Sequence, residues 1–158
     1  TNGFTLMEVM ITVVIIGILA AIGYPNYIKY VTESRRSDAT INLTRIAALQ
    51  EKFFTECGFY AGTLGAARNC GAGTLAAGLG AGGATTEGHY VLAITNLIAG
   101  PTGVAGGGGY TLTATPAGLQ ATRDAAKCTT LTITDTGAKD ATGSDSPPGT
   151  NGGKCWKK

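Results

Sequence analysis

Ionisable side chains are scarce in this chain. Asp, Glu, Lys and Arg make up 14% of it and leave a formal net charge of +2, too little to argue for a broad cationic face that holds nucleic acid. Histidine is scarcer still. His89 is the only one; it stands at the start of an expected strand with no acid or nucleophile in a recognisable motif around it, so an ordinary strand-end role is preferred to catalysis. The cysteines, Cys57, Cys70, Cys128 and Cys155, form no Cys-x-x-Cys pair of the redox or zinc type, and one imidazole is a poor supplement for a mixed metal site. Asp135, Asp140 and Asp145 lie near one another in sequence, but the spaced aspartate-to-glycine pattern of a calcium loop is absent. These absences leave no catalytic residue, metal or cofactor to expect and argue against an enzyme.

What is present is a long apolar run. From Phe4 to about Ile28, some seven helical turns, Glu8 is the only charged residue. An ionised acid at the centre of a membrane helix costs about 2.5 to 3.5 kcal/mol on the insertion scale. Unless Glu8 reaches interfacial water from the helix end, it requires a partner.

A removable signal peptide would show a short apolar core, a small-residue cleavage site and a fresh start. Here the run passes Pro25 and continues into a polar, helix-forming stretch. Beyond Lys29, the apolar residues Ala39, Leu43, Ile46, Ala47, Phe53 and Phe54 fall close to a 3.6-residue period, with Arg35, Arg36, Asp38, Arg45 and Glu51 expected to turn elsewhere. One helix over residues 4–55 follows. At 1.5 Å per residue it extends roughly 75 Å, against a hydrocarbon core of about 30 Å. Its outer half must therefore stand outside the membrane and bury its stripe under a sheet, while its inner half needs lipid or other copies of itself. Within that inner half, Gly17, Gly23 and Pro25 mark a weak zone, because Pro25 cannot donate to Ala21. This reads either as a static kink or as a segment able to unwind under load.

Residues 57–88 are rich in Gly, Ala and Thr and read as a long loop with at most short structure. The run Gly78-Leu79-Gly80-Ala81-Gly82-Gly83 satisfies Gly-x-Gly-x-x-Gly but lacks the preceding strand, following helix and distant acid of a dinucleotide site. Alternating residues then predict strands at 89–96, 110–115 and 129–134, with glycine- and proline-rich connections, within a sheet spanning 89–136. The architecture is α+β: a long helix on a small antiparallel sheet of three to four strands. The tail 137–153 would be disordered if left free. Four cysteines allow three pairings, and joining neighbours, Cys57 with Cys70 and Cys128 with Cys155, closes the shortest loops at least entropic cost. Trp156 reads as exposed for a partner or packed under the loop 128–155. The sequon Asn42-Leu43-Thr44 falls on the packed helix, which argues against modification.

Gly3-Phe4-Thr5-Leu6-Met7-Glu8, the apolar helix with Gly17 and Pro25, and Tyr24-Pro25-Asn26-Tyr27 together resemble the N-terminal signature of type IV pilins. The remainder is similar in layout to type IVa pilins, including minor pilins that end in Cys-Trp. The resemblance implies the pilin fold and cleavage between Gly3 and Phe4 by a prepilin peptidase, with methylation of the Phe4 amine. Residues 1–3 are then a leader remnant, 4–28 a transmembrane and filament-core segment, and 29–158 the globular part. It implies that Glu8 pairs with the terminal amine of a neighbouring Phe4, which is cationic at neutral pH, during assembly. The expected product is a homo-oligomeric helical filament: a subunit stored in the inner membrane, then moved by the pilus machinery into an extracellular fimbrium. A minor pilin or tethered binding module for adhesion or DNA uptake is the alternative, and a type II secretion pseudopilin ranks behind. No motif selects among twitching motility, adhesion, DNA uptake and electron transfer.

Overall fold

The computed structural model describes residues 3–70, 78–99, 107–146 and 152–156. The chain divides into two compact units, Thr1–Ser34 and Arg35–Lys158. One helix, α1 (Leu6–Cys57), contributes to both. It begins two residues later than the hydrophobic pattern indicates, because Thr5 acts as the cap: its Oγ1 accepts the Glu8 N–H at 3.3 Å. It ends two residues later, at Cys57, followed by Gly58, whose φ of 77° suits glycine and whose N–H reaches Phe54 O at 2.8 Å. α1 stays helical through Gly17, Gly23 and Pro25.

In the first unit every large apolar side chain from Phe4 to Ile22 is at least half exposed. The second unit has a dry core. There α1 buries Arg36, Ala39, Leu43, Ile46, Gln50 and Phe53, alternating steps of three and four that keep one helix face inward. Opposite lies a four-stranded antiparallel sheet ordered β2 (Tyr90–Ile98), β3 (Gly109–Pro116), β4 (Thr130–Thr134) and β5 (Lys139–Thr142). Tyr90 and Leu92, Tyr110, Leu112 and Ala114, Leu131 and Ile133, and Ala141 face the helix. Registered pairs such as Leu112 with Ile133 and Leu131 with Ala141 continue the apolar layer from strand to strand.

The sheet is wider than 89–136, since β5 arises in the tail that would be disordered if left free. β5 forms because Leu131 and Ala141 pair and because the tail is held twice. Cys128 is joined to Cys155, and Trp156 Nε1 donates to Asp140 O at 2.6 Å. The connection between β3 and β4 is a short helix, α2 (Gly118–Asp124), where a plain polar connection was expected. Its burying face is polar, Gln120 and Asp124, so an apolar period could not reveal it. In the glycine-rich segment β1 (Thr63–Arg68) forms outside the sheet. Leu79 and Ala81 donate to Thr63 O and Leu64 O, so the glycine run serves as a strand-like partner. Residues 71–77 of that loop lie outside the described residues.

Cys57 is joined to Cys70 across 13 positions and Cys128 to Cys155 across 27. Opening the longer loop by Cys155→Ser is expected to cost about 3 to 4 kcal/mol by the chain-entropy model, lowering the melting temperature by roughly 10 °C. An unchanged thermal transition would show that the bridge adds nothing.

Candidate functional site

Three groups of residues carry chemistry, one in the first unit and two in the second. At the amino end Gly3 and Phe4 are exposed, Phe4 by 83%. Thr5 caps α1 and Glu8 occupies the third helical position, where the helix dipole favours an acid. Glu8 is exposed, and its carbonyl accepts Thr12 Oγ1 at 2.7 Å. Around it stand Leu6, Met7, Val9, Met10 and Ile11, all at least half exposed. A surface this apolar is covered by lipid or protein in its working state, and by length and composition α1 is able to cross a membrane. Thr1 and Asn2 lie outside the described residues.

The second group is a buried polar centre. Arg36 was expected to turn away from the core, yet its side chain is 6% exposed and its Nη2 lies 2.7 Å from Asp124 Oδ1, with Asp124 fully buried. Arg36 Nε reaches the same carboxylate at 3.3 Å, and Nη1 reaches Asp145 Oδ2 at 3.4 Å. Tyr90 Oη donates to Asp124 Oδ2 at 3.1 Å, and Gln120 Nε2 donates to that oxygen at 2.6 Å. The physical reason for the correction is the carboxylate: a guanidinium is tolerated inside when its fork is answered. Burial opposes the Arg36 charge, but the hydrogen bond and charge of Asp124, then the charge of Asp145, more than offset it and hold its pKa above the ordinary value. The centre joins α1, β2, α2 and the C-terminal loop. The three- and seven-residue spacing of Arg36 from Ala39 and Leu43 is the signal that could have found it on the buried stripe; nothing in the sequence pointed to Asp124.

A third cluster lies further along α1. Tyr60 Oη donates to Glu51 Oε2 at 3.2 Å and Tyr110 Oη approaches Glu51 Oε1 at 3.4 Å, while the two rings meet edge to face at 4.6 Å. Burial, then the Glu51 charge, pushes Tyr60 up to about 12 and raises Tyr110; burial, then Asp124, raises Tyr90. Phenols with raised pKa values stabilise the fold below their ordinary value near 10, and that stability is lost as pH rises through the folded values. The slope from three such groups approaches about 4 kcal/mol per pH unit. Above pH 10 tyrosinate absorbance from these residues should therefore appear together with loss of helical circular dichroism; their gradual ionisation in an intact fold would refute the coupling.

The remaining sequence candidates are placed as follows. His89 precedes β2 with Nε2 3.5 Å from Glu87 Oε2. Asn42 is buried, its Nδ2 donating to Asp38 O at 2.9 Å. Trp156 is half-buried, with Lys139 Nζ 5.3 Å from its ring centre. Asp145 is committed to Arg36, and Asp135 lies beside Gly109.

The profile of the prokaryotic N-terminal methylation motif matches residues 1–24. A second family profile, described as type IV minor pilin ComP, DNA uptake sequence receptor, matches residues 25–132. The chain belongs to the type IV pilins. The pilin is 53% identical over 55 residues to the type IV major pilin protein PilA of Myxococcus xanthus, a match covering 35% of this chain and 25% of that protein. It is 38% identical over 105 residues to the fimbrial protein EcpC of Eikenella corrodens, covering 65% of this chain and 59% of that one. The matched stretches thus span less than two thirds of either relative. A solved type IV pilin from Shewanella oneidensis aligns with 80% of this chain and 99% of its own at 20% identity and a TM-score of 0.45.

Proposed function

We propose that this pilin is a structural subunit, not an enzyme: it waits in the inner membrane and polymerises into a helical surface filament through its apolar amino-terminal half. The observation that carries this reading is the pairing of an exposed apolar half-helix with one acid, Glu8, in its first turn. In this reading a prepilin peptidase cuts between Gly3 and Phe4, leaving residues 1–3 as leader remnant and a methylated Phe4 amine. Residues 4–28 form the membrane and filament core, 29–158 the globular part. The amine of an adjacent copy answers Glu8, which sets stagger more than it adds stability, because desolvation consumes much of the Coulombic gain. Gly17, Gly23 and Pro25 then serve as the segment that unwinds under load.

The test is a reconstruction of purified filaments. The reading requires filaments made of this chain, with the Glu8 carboxylate inside the core near a neighbouring Phe4. A water-facing Glu8, or a chain found only as a soluble monomer, would overturn it.

A second reading, a minor pilin that receives DNA, is favoured by the profile over residues 25–132 and by exposed Lys127, Lys139 and Lys154 in the stretch that carries Trp156. Its mark is salt-dependent DNA retention by the full chain. Retention unaffected by Lys139→Ala with Trp156→Ala would place DNA elsewhere on the surface.

A further inference from the structure

The buried polar centre does something an apolar contact cannot. The middle of the face that α1 turns to the sheet, Ala39, Leu43 and Ile46, is apolar in steps of three and four, so sliding the helix by one turn would still set apolar side chains against the sheet there, although their sizes would no longer match. Hydrophobic contact at these three positions therefore specifies register less sharply than a charge pair does. Tyr110 Oη reaches Ala47 O and Glu51 Oε1 at 3.4 Å and Thr86 Oγ1 reaches Asn42 Oδ1 at 3.5 Å, all near the geometric limit, while the Arg68–Glu56 pair lies exposed at the end of the helix. Gln50 is fully buried, but its two hydrogen bonds go to Ala61, only 11 positions later in the chain.

Arg36 differs in reach. One guanidinium contacts Asp124, 88 positions later, and Asp145, 109 positions later. Its planar fork accepts few orientations, and one helical turn away stand Thr32 and Thr40, neither of which neutralises a carboxylate. A slipped helix would leave Asp124 buried without a cation.

We infer that the Arg36–Asp124 pair is a register lock, fixing which turn of α1 meets β2 and α2, and that it contributes alignment in place of net stability. Buried ion pairs replaced by apolar residues of similar volume are often neutral or better for stability, and register is their best-attested use. The consequence rests on the filament reading: a body able to hold α1 in two registers would enter a polymer as two different building blocks, and every repeat of the contact would inherit the mismatch.

The full chain in detergent micelles, with spin labels on unnatural amino acids at exposed Thr44 and Lys139, tests the lock. The unsubstituted chain should give one narrow distance. R36M/D124L, in which Tyr90 and Gln120 keep their mutual hydrogen bond of 3.2 Å, should melt at or above the unsubstituted temperature. It should nevertheless show additional distances shifted by about 5 Å, one helical turn. R36K, which keeps the cation, should melt lower while retaining one distance. A folded double variant with a single unshifted distance overturns the lock, and so does one that loses its cooperative transition, since the pair would then be supporting the fold itself. If the unsubstituted chain forms no filaments, the filament reading fails while these distances still decide the register.

Discussion

Glu8→Ala protein inserts into the membrane and keeps the fold of residues 35–158, but its yield of filaments falls at least a hundredfold. The separation of the two outcomes follows from placement. Glu8 lies exposed in the first turn of α1, within the first unit, and is no part of the core of the second. In the proposed filament the same change would strip the partner from an amine enclosed among apolar helices, and breaking a buried pair costs about 3 to 5 kcal/mol. Glu8→Gln should recover part of the loss, since an amide accepts a hydrogen bond without answering the charge. Filament yield from sheared cells, set against the membrane-fraction level of the subunit, measures the ratio. Normal filament numbers from the Ala variant would remove Glu8 from the assembly step.

Asp124→Asn should cost about 3 to 5 kcal/mol of stability and at least about 10 °C in melting temperature. The carboxylate is fully buried and receives Arg36, Tyr90 and Gln120. The amide leaves Arg36 desolvated with only the partly exposed Asp145 beside it. Asp145→Asn, by contrast, should cost less than about 1 kcal/mol, because water already screens that contact. Thermal unfolding of the two variants side by side checks the ranking. Equal effects would mean that the guanidinium is held by the loop and not by α2.

Long-period features were legible in the sequence. The uninterrupted apolar run with one acid, and the alternation through Leu92 and Ile94, Leu112 and Ala114, Leu131 and Ile133, are local patterns whose meaning depends on spacing alone. α2 and β5 were not, for opposite reasons. α2 buries Gln120 and Asp124, so its inward face carries no hydrophobic signal. β5 is a short Lys-Asp-Ala-Thr strand whose only buried residue is Ala141, and it exists because β4 and the Cys155 bridge hold it. The buried centre failed at the level of partners: the step from Arg36 to Ala39 and Leu43 is visible in the chain, but a contact 88 positions away is set by topology.

The environment of Trp156 bears on what this protein avoids. β5 ends the sheet, and its outward backbone would offer a template to any passing strand, a hazard that grows when many copies are concentrated together. The indole occupies the Asp140 carbonyl and the Lys139 ammonium lies over the ring. At the opposite border the register shift between Ile94 and Asn96 and the bonding of Gly83 and Thr85 to β2 interrupt the same kind of template. Strand-by-strand fusion is therefore opposed at both described margins, which in the proposed filament leaves the exposed apolar half of α1 as the surface for growth.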